Sequence, residues 1–230
     1  MNNFDQQSSL NTQGLNQFLS KMYAYMAGAI AISAIMAYVT ARFLASTIFS
    51  SPLTMIVLGI ILIAMVFSLS FNPNRAPAMS IAMLFIYAAI EGILFSSILT
   101  VYASKDITMA FVSAAVVFVV LSVFGLNTKK DLSRIGRQAM AALFALFIVS
   151  IINLFLKSAA IEYVFSYIGV VIFTILTAWD TQRMKQLYVE YGNQIGVTNL
   201  AINGALQLYL DFINIFIYLL EIFGNNSDNN

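Results

Sequence analysis

The chain has 230 residues, 60% of them hydrophobic and 9% charged, with a mean hydropathy of +0.86. A net charge of +1 argues against a nucleic-acid partner, and the lack of cysteine removes disulfides, thiolate chemistry and cysteine-ligated metal sites. Seven spans of roughly 20 residues would use about 140 positions, close to the apolar share of the chain, which leaves little for a soluble domain.

Residues 1–20, MNNFDQQSSLNTQGLNQFLS, are polar and lack the basic-then-apolar order of a cleaved signal peptide. They are expected to form a polar cytoplasmic segment ahead of a transmembrane domain at 21–224 and a polar tail at 225–230. Leu15, Phe18, Leu19 and Met22 fall at i, i+3, i+4 and i+7, which predicts a short interfacial helix feeding the first span. Seven apolar runs follow, at 22–45, 52–71, 78–102, 107–126, 138–156, 161–180 and 200–223. The breaks between them read SSP, NPNRAP, SKD, NTKKDLSRIGR, KS and TQRMKQLYVEYGNQIGVTN. The prediction is an all-α membrane protein of seven helices.

Orientation follows from the basic residues. Lys21, Arg75, Lys129, Lys130, Arg134, Arg137, Arg183 and Lys185 share one side of such a bundle, and only Arg42, Lys105 and Lys157 occupy the other. The positive-inside rule therefore places the N-terminus in the cytoplasm and the C-terminus outside.

Three acidic residues, Glu91, Asp180 and Asp211, stand within or at the ends of apolar runs. An Asp at the centre of a membrane helix costs about 2.5–3.5 kcal/mol on translocon scales, so each must face protein or water. Asp211 belongs to a polar stripe: Asn203, Gln207, Asp211, Asn214 and Tyr218 are spaced 4, 4, 3 and 4 on a helix otherwise apolar nearly all round, as a central helix would be. Such a stripe either lines an ion path or knits helices together by hydrogen bonds. Asp180 follows Thr174 and Thr177 on one helical face and precedes Arg183 and Lys185, so it is either a working carboxylate or a headgroup-level ion pair. Glu91 is followed by Gly92, a small residue that permits close helix approach, and serves either ion passage or helix hydrogen bonding.

The strings AWDTQRMK, ALQLYLDFINIFIYLLEIFG, EGILFSSIL and TKKDLSRIG resemble the BAX inhibitor-1 family, also called the transmembrane BAX inhibitor motif family, from about residue 20 to 224. The resemblance implies two three-helix layers around a central C-terminal helix in a prokaryotic plasma membrane. It also implies a pH-sensitive passive calcium leak with calcium as the transported ion, no cofactor, and a sensor dyad that maps onto Asp180 and Asp211. In a bacterial branch an arginine at the cytoplasmic end of the second span joins the dyad; the nearest match is Arg75, within a differently spelled NPNRAP. The acidic residue of that branch's second span is missing from LTMIVLGIILIAMVFSLSF, which shifts any calcium handling toward Glu91, with Asn203, Gln207 and Asn214 as further candidates for the path.

The physics of a dyad stands by itself. Two carboxylates within hydrogen-bond reach in a poorly hydrated site cannot both ionise cheaply, so they share a proton and titrate as one coupled pair. With no histidine in the chain, a sensor near neutral pH must use carboxylates or the amino terminus. Too few acids are present for a tight metal cage, and no metal site is assigned.

Other classes fare worse or remain open. An intramembrane aspartyl protease would carry Gly-x-Gly-Asp where this chain reads LYLD, and a Pro-Ala-Leu motif where it has no proline after Pro77. A retinal protein needs a lysine in the last span, and 200–223 has none. The alternative that stays open is a non-enzymatic regulatory membrane protein that binds a membrane protease or another stress-response partner through its polar loops.

Overall fold

The structure is a computed structural model that describes residues 3–44, 52–71, 75–191 and 196–227. Among the described residues it is helical, without a strand. Helix α1 (Asn3–Val39) ends in a π-helical turn (Thr40–Leu44) and is followed by α2 (Pro52–Phe71), α3 (Pro77–Phe95) and the short α4 (Ile98–Val101). Then come α5 (Ser104–Asn127), α6 (Ser133–Leu156), α7 (Ala159–Tyr191) and α8 (Val197–Ser227). Among the described residues seven segments are long and apolar enough to cross a membrane, α3 and α4 together making the third.

The helix ends depart from the apolar runs, for physical reasons. The N-terminal segment is no separate interfacial helix: α1 runs through it without a break. Phe18 and Met22 are fully buried, Phe18 stacked on Tyr188 with ring centroids 4.8 Å apart and Met22 set beside Gly204. The apolar stripe that suggested a headgroup-level helix is instead satisfied by protein. The segment after Asp180, expected as a loop, stays helical to Tyr191, because TQRMKQLYVEY is mostly good helix formers without glycine or proline. SKD, expected as a break, is the first turn of α5, where the buried carboxylate of Asp106 meets the favourable end of the helix dipole. The third span is interrupted at Ser96 and Ser97, whose hydroxyls turn back on the carbonyls of Ile93 (2.6 Å) and Leu94 (2.9 Å). At the far end α8 takes in residues 225–227 of the expected tail. Residues 228–230, the first three residues of NPNRAP (72–74) and the serines of SSP lie outside the described residues.

By packing, the chain divides into two compact units, Met1–Val101 with Met184–Tyr209, and Tyr102–Arg183 with Leu210–Asn230. In the first, α1 and α3 approach closely at Gly92, where a Cβ would overlap the Ser33 carbonyl oxygen and lie 2.8 Å from Met36 Cβ. The closeness expected of Gly92 is therefore present. In the second, α5 and α7 meet at Gly125, whose absent Cβ leaves room for the Ala178 carbonyl.

Apolar surface faces outward in helical stripes, for example Val112, Val116, Val119 and Val123 on α5, and Leu53, Ile56, Ile60, Ile63, Phe67 and Phe71 on α2. Stripes of this extent suit acyl chains. The last helix is the exception: 56% of its most apolar stretch is buried within the protein, against 11–33% for the other six spans.

A buried carboxylate pair as candidate functional site

Asp180 and Asp211 both belong to the second unit, on α7 and α8. Their relative exposures are 5% and 4%. The charge of Asp180 bears on Asp211, so the two carboxylates are electrostatic neighbours. Asp211 Oδ2 is enclosed and has no hydrogen-bond partner among the described residues. An enclosed polar oxygen left unsatisfied costs about 1–3 kcal/mol, and a full charge there costs more, so this atom calls for a proton, a water or a cation.

The turn of α7 that carries Asp180 is held on several sides. Ala178 sits in the close crossing with α5, and Thr181 Oγ1 donates to Ser122 Oγ over 3.4 Å. The buried Gln182 clamps the segment between α5 and α6: its Nε2 donates to the Lys130 carbonyl (2.8 Å), and its Oε1 accepts from the Leu132 N–H (2.9 Å). Arg183 is the other charge that bears on Asp180, and its guanidinium lies 5.3 Å from the Trp179 ring centroid. The base expected beside Asp180 is thus present, yet Arg183 is itself exposed while Asp180 is buried.

The stripe on α8 has a pattern that spacing alone does not reveal. Asn203 and Gln207 are half-buried, as are Asn214, Tyr218 and Glu221, whereas Asp211 between them is closed off. Asn214 turns its Nδ2 to the Leu210 carbonyl (2.7 Å), so the oxygen is the other end of the amide. Gln207 Oε1 is enclosed without a partner among the described residues.

Arg75 and Glu91 belong to the first unit. The Arg75 guanidinium donates to the Ser68 carbonyl (3.0 Å), Ser68 Oγ (2.7 Å) and Met83 Sδ (2.6 Å), while its own carbonyl accepts from Asn199 Nδ2 (2.7 Å). There it ties the end of α2 to α3 and α8. Glu91 accepts a hydrogen bond from the Tyr87 hydroxyl, and its Oε2 is enclosed without a partner among the described residues. Tyr87 meets Tyr209 edge to face, with centroids 6.0 Å apart. Ser33 faces Tyr209 Oη at 2.6 Å and the Ala88 and Ala29 carbonyls at 2.8 and 3.0 Å. Ser33 has one proton for these three acceptors, and either hydroxyl can be the donor between Ser33 and Tyr209. Glu91 thus adjoins a hydrogen-bonded knot of α1, α3 and α8.

Sequence reading missed Glu221, Ser166 and Gln182. Glu221 stands three residues after Tyr218, so the 4, 4, 3, 4 spacing continued by 3 reaches it. It accepts a 2.5 Å hydrogen bond from Ser166 Oγ. Gln182 carries no such signal, since its role depends on two backbone groups about 50 positions away.

The fold and the site together define a polytopic helical membrane protein with a carboxylate pair enclosed between its last two spans. A model of the family described as Inhibitor of apoptosis-promoting Bax1 matches residues 15–228. The uncharacterized protein YrjE of Lactococcus lactis is 40% identical over 225 residues, covering 96% of this chain and 94% of its own. The inner membrane protein YbhL of Escherichia coli is 36% identical over 217 residues (92% of this chain, 93% of its own), and a Deinococcus radiodurans protein 39% over 214 (92% and 91%). The chain belongs to the BAX inhibitor family.

Proposed function

We propose that this protein is a pH-sensitive passive leak for calcium in a prokaryotic plasma membrane, with its N-terminus in the cytoplasm and its C-terminus outside. The observation that supports this reading is the enclosure of Asp211 beside Asp180, with Oδ2 unsatisfied, at the closed position of an otherwise half-open polar stripe. While the pair holds a proton, α7 and α8 are compatible neighbours. Loss of that proton sets like charges against each other in a poorly hydrated place and loosens α7 from α8. Only the part of that energy that differs between closed and open states moves the equilibrium. A hard divalent cation suits oxygen ligands of this kind, in weak and transient occupancy. The test is calcium flux into liposomes that contain this protein alone, from about pH 5 to 8. Flux that varies with pH supports the leak; no flux at any pH rejects it.

The second reading, a regulatory protein that binds a membrane partner, draws on the Gln182 clamp. That clamp joins the basic segment around Lys129 and Lys130 to the turn that bears Asp180, so a partner docked there would act on the same helix. A protein that works this way gives no flux when alone.

A further inference from the structure

The second unit also holds a cavity of about 580 Å³ between α6, α7 and α8, whose lining includes Asn153, Lys157, Glu162, Asn214, Tyr218 and Glu221. Its lining includes the end of α6 at Lys157, the one residue among those described that is not glycine and has a positive φ (49°). Asn153 fixes that corner: its Oδ1 accepts from the Ser158 N–H (3.1 Å) and its Nδ2 donates to the Ser158 carbonyl (3.3 Å). Asn214 and Tyr218 belong to the polar stripe of α8, and Glu221 continues it. Asn214, in turn, stands one helical turn beyond Asp211 and its unsatisfied Oδ2.

We propose that this cavity is the vestibule through which a hydrated divalent cation reaches the carboxylate pair, with Glu221 as the first carboxylate it meets. The inference rests on the leak reading and deepens it. Two carboxylates and one ammonium face the space, so its charge favours a cation. Its oxygens are hard donors: the Glu221 carboxylate, and the side-chain carbonyl of Asn214, whose nitrogen bonds to Leu210. Ser166 has one proton and faces two acceptors, the Glu162 carbonyl at 3.0 Å and Glu221 Oε2 at 2.5 Å. The shorter distance makes Glu221 Oε2 the nearer acceptor for that proton, and the bond fixes the carboxyl group at the cavity wall. A water takes about 30 Å³ of liquid volume, so the cavity holds a cation with its water shell and not a stripped ion. Among the described residues no group of three or more acidic, histidine or cysteine side chains is placed to hold a metal, which suits passage and not storage.

The test uses the absence of native cysteine. Ser150 also lines the cavity, and Ser150→Cys puts a single thiol there. A cationic methanethiosulfonate reagent should modify it about tenfold faster than an anionic one, calcium should slow the cationic reaction, and adding Glu221→Gln should remove the preference. Equal rates, or a preference that survives Glu221→Gln, overturn the proposal. In liposomes, Glu221→Gln should raise the calcium concentration for half-maximal flux several-fold with an unmoved pH midpoint, and Glu221→Asp should restore it; an unchanged half-maximal concentration also overturns it. If the wild type gives no flux, the leak reading fails, and the thiol rates alone decide whether the cavity selects cations.

Discussion

Asp211 answers at the scale of one residue how a charge is tolerated in the apolar core of a membrane helix: it is closed off and set beside Asp180, with one oxygen unsatisfied. Asp180→Asn and Asp211→Asn should each leave the protein folded, since an amide occupies the same space, but flux should lose most of its variation between about pH 5 and 8. If both residues serve one switch, as proposed, the double variant should be no worse than either single one. If both single variants keep the wild-type pH profile, the pair is a structural contact only. Glu91 sits in a different chemical setting, beside the Tyr87, Tyr209 and Ser33 knot. If it serves the ion path, Glu91→Gln should lower flux at every pH with the midpoint unmoved; unchanged flux assigns it to the knot. These carboxylates were legible because ionisable groups inside apolar runs stand out. Glu221 stood out less, because it lies near a polar tail: the spacing of the stripe reaches it, but its Ser166 partner on another helix is visible only in the fold.

Among the elements, α7 is held at the turn of Asp180 by α5 and by the segment before α6, and two substitutions probe those contacts. At Gly125 a Cβ would overlap the Ala178 carbonyl, and backbone cannot swing aside as a side chain can. Gly125→Ala should therefore destabilise by on the order of 1–3 kcal/mol, read as a lower midpoint of thermal unfolding in detergent. Gln182→Ala leaves the Lys130 carbonyl and the Leu132 N–H without their amide partner, at a cost of about 0.5–1.5 kcal/mol for each bond. Trypsin should then cut after Lys129 and Lys130 several-fold faster, and an unchanged rate would show that the clamp is idle. At the start of α6, the Ser133 hydroxyl and N–H hold the carboxyl of Asp131 below the usual carboxylate range. A group whose pKa falls on folding contributes stability above its unfolded value, near 4, and loses it as pH drops through the folded value. Protection factors at residues 133–137, taken relative to the slower intrinsic exchange in acid, should accordingly fall as pH drops through that value. Helix ends were the least legible feature of the chain. Polarity marks where a membrane stops, and α7 continues past that point on helix propensity and on contacts such as the Gln182 clamp and the Tyr188 to Phe18 stack, while α1 begins well before it.

For the molecule as a whole, the seven spans were legible because apolar runs of sufficient length have few other uses, and the burial of α8 followed from its lack of a lipid-facing side. The division of the chain into two units was not legible, since it depends on contacts between distant segments and cuts across α7 and α8. Orientation is open to direct measurement. A cysteine placed between Lys129 and Arg137 should be shielded from impermeant thiol reagents in intact cells, while one after Asn225 should react; the reverse pattern would invert the proposed topology.

The outward stripe on α2 makes bilayer thickness a variable of this protein. At 20 residues α2 is about 30 Å long, the thickness of an average hydrocarbon core, whereas the 24 residues of α5 and of α6 give about 36 Å. The longer helices adjust to a thin bilayer by tilting, but α2 has no spare length with which to meet a thick one. With 11% of its most apolar stretch buried, it is also the span held least by protein and most by lipid. Mismatch strain should therefore concentrate on α2 and on the Arg75 to Ser68 contact at its end, so lengthening the acyl chains should disturb this helix before any other. Chain length thus becomes a control on the molecule that requires no ligand at all.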